Sequence, residues 1–388
     1  MKIVADENIP LLKDAFGPLG EVVALAADEI TPQVLRDAQA LLVRSVTRAG
    51  AGLLDSTDVR FVGTATIGTD HIDRDYLSRR GIGFGSAQGS NARSVAEYVF
   101  AALSVLAERK GLALADMVLG VVGVGNIGSR VARIAEGIGM RVLRNDPPLA
   151  RRTGDPKYVP IETVCDEADI VTFHVPLTRE GPDATYHMIN KGLLRQLKGR
   201  AVLINTSRGT VHETAALKAA IAAGHLGAVI LDVWEDEPNV DPDLLAGVDL
   251  ATPHIAGYSY DGKVNGTRML LEALCRHFGL RRRWDPLPLM PPPNQPRVRV
   301  PAGVSVDEAL RLAITAAYNI EADDRRLREM LKVPKSDRGA YFKSLRRNYP
   351  VRREFPWTTV ELESDDAGVR AALRTLGFPV TVASRKGR

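Results

Sequence analysis

Apolar residues along the chain fall into short continuous runs, separated by stretches in which they recur every three or four positions. Runs of four to six between turn residues suit buried strands, and the longer period suits helices packed against them. Up to about residue 92 the strand candidates are Lys2–Ala5, Glu21–Leu25, Ala40–Arg44, Phe61–Thr64 and Ile82–Ser86. Between them, Ile9–Phe16, Thr31–Asp37 and Asp73–Arg80 carry the helical pattern. Strand–helix alternation of this kind predicts a parallel sheet covered on both faces, with ligands gathering at the carboxyl ends of its strands.

A long helical pattern, Asn91–Lys110, leads into a second series of strand candidates: Val118–Val122, Met140–Leu143, Ile170–His174, Ala201–Asn205, Ala228–Asp232 and Asp249–Ala251. His254–Phe278 then reads as one helix returning to the first series. The expected fold is therefore α/β, with a Rossmann-type domain over residues 93–253 inserted into a discontinuous, flavodoxin-like substrate domain of residues 1–92 and 254–284. Trp284–Pro301 carries seven prolines. Proline fixes φ and lacks an N–H, so residues 285–301 are expected to be a stiff linker without regular structure. Beyond it, Val306–Tyr318 is helical in pattern and Thr358–Leu362 strand-like, which predicts a C-terminal α+β domain over 302–388. That tail has no catalytic signature, and an oligomerisation or regulatory module is its expected role by elimination.

The second series opens on the most informative stretch. The run Val118–Val122 is followed by Gly123-Val124-Gly125-Asn126-Ile127-Gly128, an amphipathic helical pattern, a short strand and then Asp146. A strand, a GxGxxG turn, a helix, a strand and an acidic residue in that order form the dinucleotide-binding fingerprint. Gly123 permits the tight turn, Gly125 lets a pyrophosphate approach the backbone, and Gly128 lets the helix pack on the strand. The helix N-terminus adds unpaired N–H groups and a positive dipole.

Composition changes this picture little. The 388 residues are 45% hydrophobic and 25% charged, with a formal charge of +4, which gives no reason to expect nucleic acid or a membrane as a partner. No apolar run approaches the length that spans a bilayer, and the N-terminus meets charge too early for a signal peptide, so a cytoplasmic protein is expected. The two cysteines, Cys165 and Cys275, make no metal or redox motif, and no metal site is expected.

Three strand ends of the second series each deliver an ionisable residue: Arg208 after Ala201–Ser207, Glu237 after Val229–Asp236, and His254 after Leu250–Pro253. An arginine offers a planar fork to a carboxylate, a histidine can take a hydroxyl proton during hydride transfer, and a nearby glutamate stabilises the imidazolium. Elsewhere, Asp70 and His71 read as caps of the helix beginning near Asp73, while Arg346-Arg347 and Arg352-Arg353 read as a solvated basic face.

Gly123–Gly128, Asp146, His174-Val175-Pro176-Leu177, Asn205–Gly209, Asp232–Pro238 and Thr252–Gly257 together resemble the D-isomer-specific 2-hydroxyacid dehydrogenases. The segments Lys2–Pro10, Leu42–Thr47, Gly63–Asp73 and Gly257-Tyr258-Ser259, with the Pro-rich linker and the extra tail, resemble a branch of that family acting on a small phosphorylated hydroxy acid. The resemblance implies NAD-dependent oxidation of a 2-hydroxyl, with Arg208, Glu237 and His254 as catalytic residues and His254 as the proton donor or acceptor. It implies substrate contacts at Ser45, Thr66 and Tyr258. It implies cofactor contacts at Asp146, Val175, Thr206, Ser207, Arg208, Asp232 and Gly257, beside the glycine turn with Asn126 and Ile127. A homodimer joined through the tail is expected. Other members of the family, of phosphoglycerate or glyoxylate/hydroxypyruvate type, and a nonenzymatic NAD(H) sensor are the alternative readings. Val175 stands where the family pattern suggests threonine, and Gln88 and Ser90 stand where it suggests proline and cysteine.

Overall fold

The computed structural model describes residues 1–383. The chain divides into two compact units, Met1–Asn91 with Tyr258–Pro291, and Ala92–Gly257 with the described residues from Pro292 onward. Residues 384–388 lie outside the described residues.

In the first unit β1 (Lys2–Asp6), β2 (Glu21–Leu25), β3 (Ala40–Val43), β4 (Phe61–Thr64) and β5 (Gly83–Ser86) form one all-parallel sheet in the order β2-β1-β3-β4-β5. This is the flavodoxin-like order. β1, β3 and β4 are almost entirely buried because helices cover both faces, which explains their continuous apolar runs. The helix Tyr260–Phe278 packs on β4 and β5 where three glycines make room. A Cβ on Gly83 would lie 2.3 Å from His277 Nδ1, one on Gly85 2.7 Å from Ala273 Cβ, and one on Gly63 3.2 Å from Leu270 Cδ2. That helix starts later than His254, the start expected from the sequence. The Ser259 side chain accepts from Gly262 N at 2.8 Å and caps it there.

In the second unit β6 (Val118–Val122), β7 (Arg141–Asn145), β8 (Ile170–Phe173), β9 (Val202–Asn205), β10 (Ala228–Leu231) and β11 (Leu250–Ala251) form a parallel sheet in the order β11-β10-β9-β8-β6-β7. Strand order reverses between β6 and β8. Such a switch point opens a crevice at the strands' carboxyl ends, and the glycine turn sits there.

The linker and tail differ from expectation. Residues 297–300 are not linker but strand β12 (Arg297–Val300), which pairs in parallel with β13 (Thr359–Leu362), itself paired with β14 (Val380–Val382). Arg-Val-Arg-Val between Pro296 and Pro301 alternates charged and apolar positions, and this period-two signal is masked by the flanking prolines. The residues after 292 are not set apart from the nucleotide-binding residues either. Ala309, Leu310, Ala313, Ile314, Phe355 and Leu373 share one buried cluster with Val95, Tyr98, Leu103, Val131 and Ala135. Leu327, Met330 and Phe342 join a second cluster with Trp234, Val240 and Leu244. Apolar faces that complete one another's burial make one cooperative unit.

Candidate active site

The glycine turn has the shape its sequence predicts. Gly123 takes φ +88°, and a Cβ there would lie 2.6 Å from His174 O. A Cβ on Gly128 would fall 1.9 Å from Gly123 O, so only glycine lets the helix Gly128–Gly137 start against the turn. A Cβ on Gly125 would meet open space, on the side a pyrophosphate needs. Gly125 and Asn126 are exposed, and Ile127, half-buried, is the residue from which the helix starts. Asp146, just after β7, accepts from Val124 N through Oδ2 (2.8 Å) and from Leu149 N through Oδ1 (3.0 Å), which fixes an anionic group beside the turn. Two of the three nearby arginines are engaged elsewhere, Arg144 with Glu136 at 2.7 Å and Arg151 with Asp183, while Arg152 is exposed. These residues fit a dinucleotide. When bound, its nicotinamide supplies the hydride acceptor.

Beyond β8, His174 is held by two hydroxyls, Thr172 Oγ1 on Nε2 (3.0 Å) and Thr206 Oγ1 on Nδ1 (3.2 Å). Desolvation pulls its pKa down to about 3, which favours a neutral imidazole held against Thr206. Val175 is half-buried against the apolar core.

Asn205 ties the turn carrying Arg208. Its Oδ1 accepts from Ser207 N (3.0 Å) and Ser207 Oγ (2.7 Å), and its Nδ2 donates to Arg208 O (3.0 Å). Gly209 closes the turn, since a Cβ there would lie 1.8 Å from Trp234 O. The Arg208 guanidinium, half-buried, donates to Ser207 O at 2.9 Å. Asn205 was not marked from the sequence, although an Asn heading a Thr-Ser-Arg-Gly turn is a side-chain-to-backbone signal.

His254 Nδ1 meets Glu237 Oε1 at 2.6 Å, and about a quarter of each side chain is exposed. With Nδ1–H donating to the carboxylate, the imidazole presents Nε2 as its acceptor. Burial alone would raise the Glu237 pKa, but the charge and hydrogen bond of His254 and the charge of Arg346 outweigh it and hold the carboxyl below its usual range. His254 sits at φ +57°, a left-handed conformation that a β-carbon disfavours. The surroundings hold it there. His254 N donates to Asp232 O (2.6 Å), Ile255 N to Asp232 Oδ1 (2.7 Å) and Ala256 N to Asp232 Oδ2 (2.9 Å). Thr252 Oγ1 also donates to Asp232 Oδ1 (2.6 Å) and meets Tyr98 OH at 2.7 Å, while Trp234 Nε1 donates to Thr252 O (2.9 Å). Asp232 is fully buried beneath the loop leading to Gly257, and burial raises its pKa despite His254 and these donors. Its carboxylate is thus engaged with the loop. The contact of Tyr98 with Thr252 carried no sequence signal, because the two lie 154 residues apart.

In the first unit, Ser45 is exposed in the turn after β3. Thr66, in the turn after the neighbouring β4, shares its Oγ1 with Thr64 Oγ1 (2.8 Å) and donates to Gly68 O (3.1 Å). Tyr258 stands just before the cap of the helix Tyr260–Phe278, with Lys263 Nζ 4.4 Å from its ring centre. Asp70 and His71 do not cap the helix at residue 74. The Asp73 carboxylate does, accepting from Tyr76 N at 2.9 Å, and His71 Nε2 meets Thr64 Oγ1 instead. The expected basic face is split: Arg347 is exposed and Arg346 half-buried, but Arg352 and Arg353 are each only 6% exposed.

The class follows from these parts. The NAD binding domain of the D-isomer specific 2-hydroxyacid dehydrogenases matches residues 93–256, and the chain is an NAD-dependent enzyme of that class. A domain of unknown function, DUF3410, matches residues 289–377. Among solved structures, a D-lactate dehydrogenase from Aquifex aeolicus complexed with NAD and lactic acid is similar at 27% identity, with TM-score 0.58, over 72% of this chain and 96% of that one. An NAD⁺-bound 3-phosphoglycerate dehydrogenase from Entamoeba histolytica is similar at 26% identity, with TM-score 0.61, over 72% and 95%. Erythronate-4-phosphate dehydrogenase of Salinibacter ruber is 48% identical, covering 95% of this chain and 97% of its own. That of Sodalis glossinidius is 45% identical, covering 97% and 98%. The chain belongs to the erythronate-4-phosphate dehydrogenase family.

Proposed function

We propose that the enzyme oxidises the 2-hydroxyl of 4-phospho-D-erythronate to 2-oxo-3-hydroxy-4-phosphobutanoate, as a step of pyridoxal phosphate (vitamin B6) biosynthesis. The observation that carries this reading is similarity running through the tail as well as the catalytic residues, at 43–48% identity over nearly the full length of relatives bearing that name. In this reading the Arg208 fork grips the substrate carboxylate, and His254 Nε2 takes the hydroxyl proton as the hydride leaves C2. Glu237 stabilises the imidazolium so formed. Ser45, Thr66 and Tyr258 contact the substrate. The turn 123–128, with Asp146, Val175, Thr206, Ser207 and Gly257, holds the cofactor, and Asp232 acts on it through the loop it braces. A panel of D-2-hydroxy acids assayed by NADH formation tests the substrate. 4-Phospho-D-erythronate should give the highest kcat/KM, and preference for 3-phosphoglycerate or glycolate would transfer the enzyme to another branch. Absence of turnover with every acid would leave the sensor reading.

We also propose a cytoplasmic homodimer joined through the tail. Because residues after 292 share their core with the nucleotide-binding residues, the assembly is best measured on the full chain by sedimentation. A monomer across micromolar concentrations would remove the proposal.

A further inference from the structure

The loop that carries His254 is gripped at both ends by residues of the tail. Upstream, Ala251 N donates to Asp324 Oδ1 at 2.8 Å. Asp324 is in turn fixed by Arg328, whose Nε reaches both carboxylate oxygens (2.9 and 3.0 Å) and whose two terminal nitrogens donate to Leu245 O (2.9 Å) and Val248 O (2.8 Å). Downstream, Arg352 Nη2 donates to Ala256 O at 2.7 Å. The positively strained His254 lies between these two grips.

Arg352 is an expensive residue to keep where it is. It is 6% exposed, its guanidinium lies 4.2 Å over the Tyr318 ring, and its Nε and Nη1 have no hydrogen-bond acceptor among the described residues. A buried cation with unmet donors is a poor source of stability compared with an apolar side chain of the same volume. What it supplies is a fixed donor on the carbonyl two residues beyond His254. The Glu237 side is supported from the same segment. The helix Arg338–Arg347 places Gly339 so close to the next turn that a Cβ would lie 2.9 Å from Asn239 Oδ1, and Phe342 packs with Trp234 and Val240.

We propose that Arg352 is a positioning residue for His254, so that the tail of unknown function serves the chemical step directly by holding the proton-transfer loop. The proposal rests on His254 being the proton-transfer residue of the function proposed above. Arg352 contacts the loop at the Ala256 carbonyl and not at His254 itself. It acts by keeping the imidazole of His254, in its left-handed backbone conformation, in register with Glu237 and with the hydroxyl to be oxidised. Misplacement of a reacting group by about 1 Å from a remote change can cost about a hundredfold in rate.

The test uses the full-length enzyme with NAD⁺ and 4-phospho-D-erythronate, comparing wild type, His254→Ala, Arg352→Lys and Arg352→Ala. Arg352→Lys keeps the buried charge and loses the planar fork. It should lower kcat about 10- to 100-fold while the substrate KM and the NADH Kd, read by fluorescence, stay within about threefold. In Arg352→Ala, added guanidinium ion at millimolar concentration should restore kcat about tenfold with a saturable dependence, and ammonium ion should not. Wild-type kcat in Arg352→Lys beside an inactive His254→Ala would overturn the brace and leave the catalytic reading standing. Normal turnover in His254→Ala would overturn both. A loss in Arg352→Lys confined to melting temperature, with kcat per folded molecule unchanged, would also overturn the brace. Should Arg352→Ala fail to fold, the Arg352→Lys result decides alone.

Discussion

Replacing Glu237 with glutamine isolates the electrostatic part of the proposed acid–base pair, since the amide keeps the size and can still accept from His254 Nδ1. The contact is 2.6 Å between Nδ1 and Oε1, and side-chain exposures are 29% and 26%. With roughly 5 Å between charge centres and an effective dielectric of about 20, Coulomb's law gives about 3 kcal/mol. Both groups keep contact with solvent, so about half of that survives screening, about 1.5 kcal/mol or about one pH unit. The sign follows from the reaction. Oxidation needs a neutral imidazole, so kcat/KM falls on the acid side, and replacing the carboxylate removes a charge that favours the imidazolium. Glu237→Gln should therefore move the acid limb of the kcat/KM profile down by about one unit. The substrate phosphate titrates near pH 6 with either enzyme and cancels in the difference. The Glu237 carboxyl itself is held below the usual carboxylate range, so its contribution to stability is present above that range and lost as pH falls through its lowered value, away from the limb being measured. An acid limb that stays in place, or moves up, refutes the pairing as the source of the effect.

Other outcomes follow from the same geometry. His254→Ala should lose about 10²–10⁴-fold in kcat, the range for a positioned acid–base group, while NADH still binds; stopped-flow and fluorescence titration separate the two. Arg208→Lys should raise the substrate KM as well as lower kcat, because an ammonium cannot reproduce the bidentate fork; an effect on kcat alone would move Arg208 off the carboxylate. NAD⁺ should exceed NADP⁺ in kcat/KM, since the Asp146 carboxylate beside the glycine turn repels a 2′-phosphate and Arg144 and Arg151 are paired elsewhere. Comparable values for the two cofactors would refute that role of Asp146.

Local rules in the sequence determined a good deal. Continuous apolar runs placed eleven parallel strands in two sheets, because a strand buried on both faces must be apolar throughout. The glycine fingerprint determined the turn at the switch point, since its three glycines answer to contacts within one βαβ unit. Arg208, Glu237 and His254 were legible as strand-end residues, but only tertiary structure could bring Glu237 and His254 to 2.6 Å. The same holds for what surrounds them. Tyr98, Asp324 and Arg352 act on the His254 loop from 154, 73 and 96 residues away from their partners, separations at which periodicity carries no information. The Arg352-Arg353 pair shows the limit most clearly. A charged dipeptide in sequence reads as solvated, because burial of a charge is costly and only specific partners make it tolerable. Those partners, the Tyr318 ring and the Ala256 carbonyl for Arg352 and the Trp357 ring for Arg353, exist only once the tail has folded into the same core as the nucleotide-binding sheet.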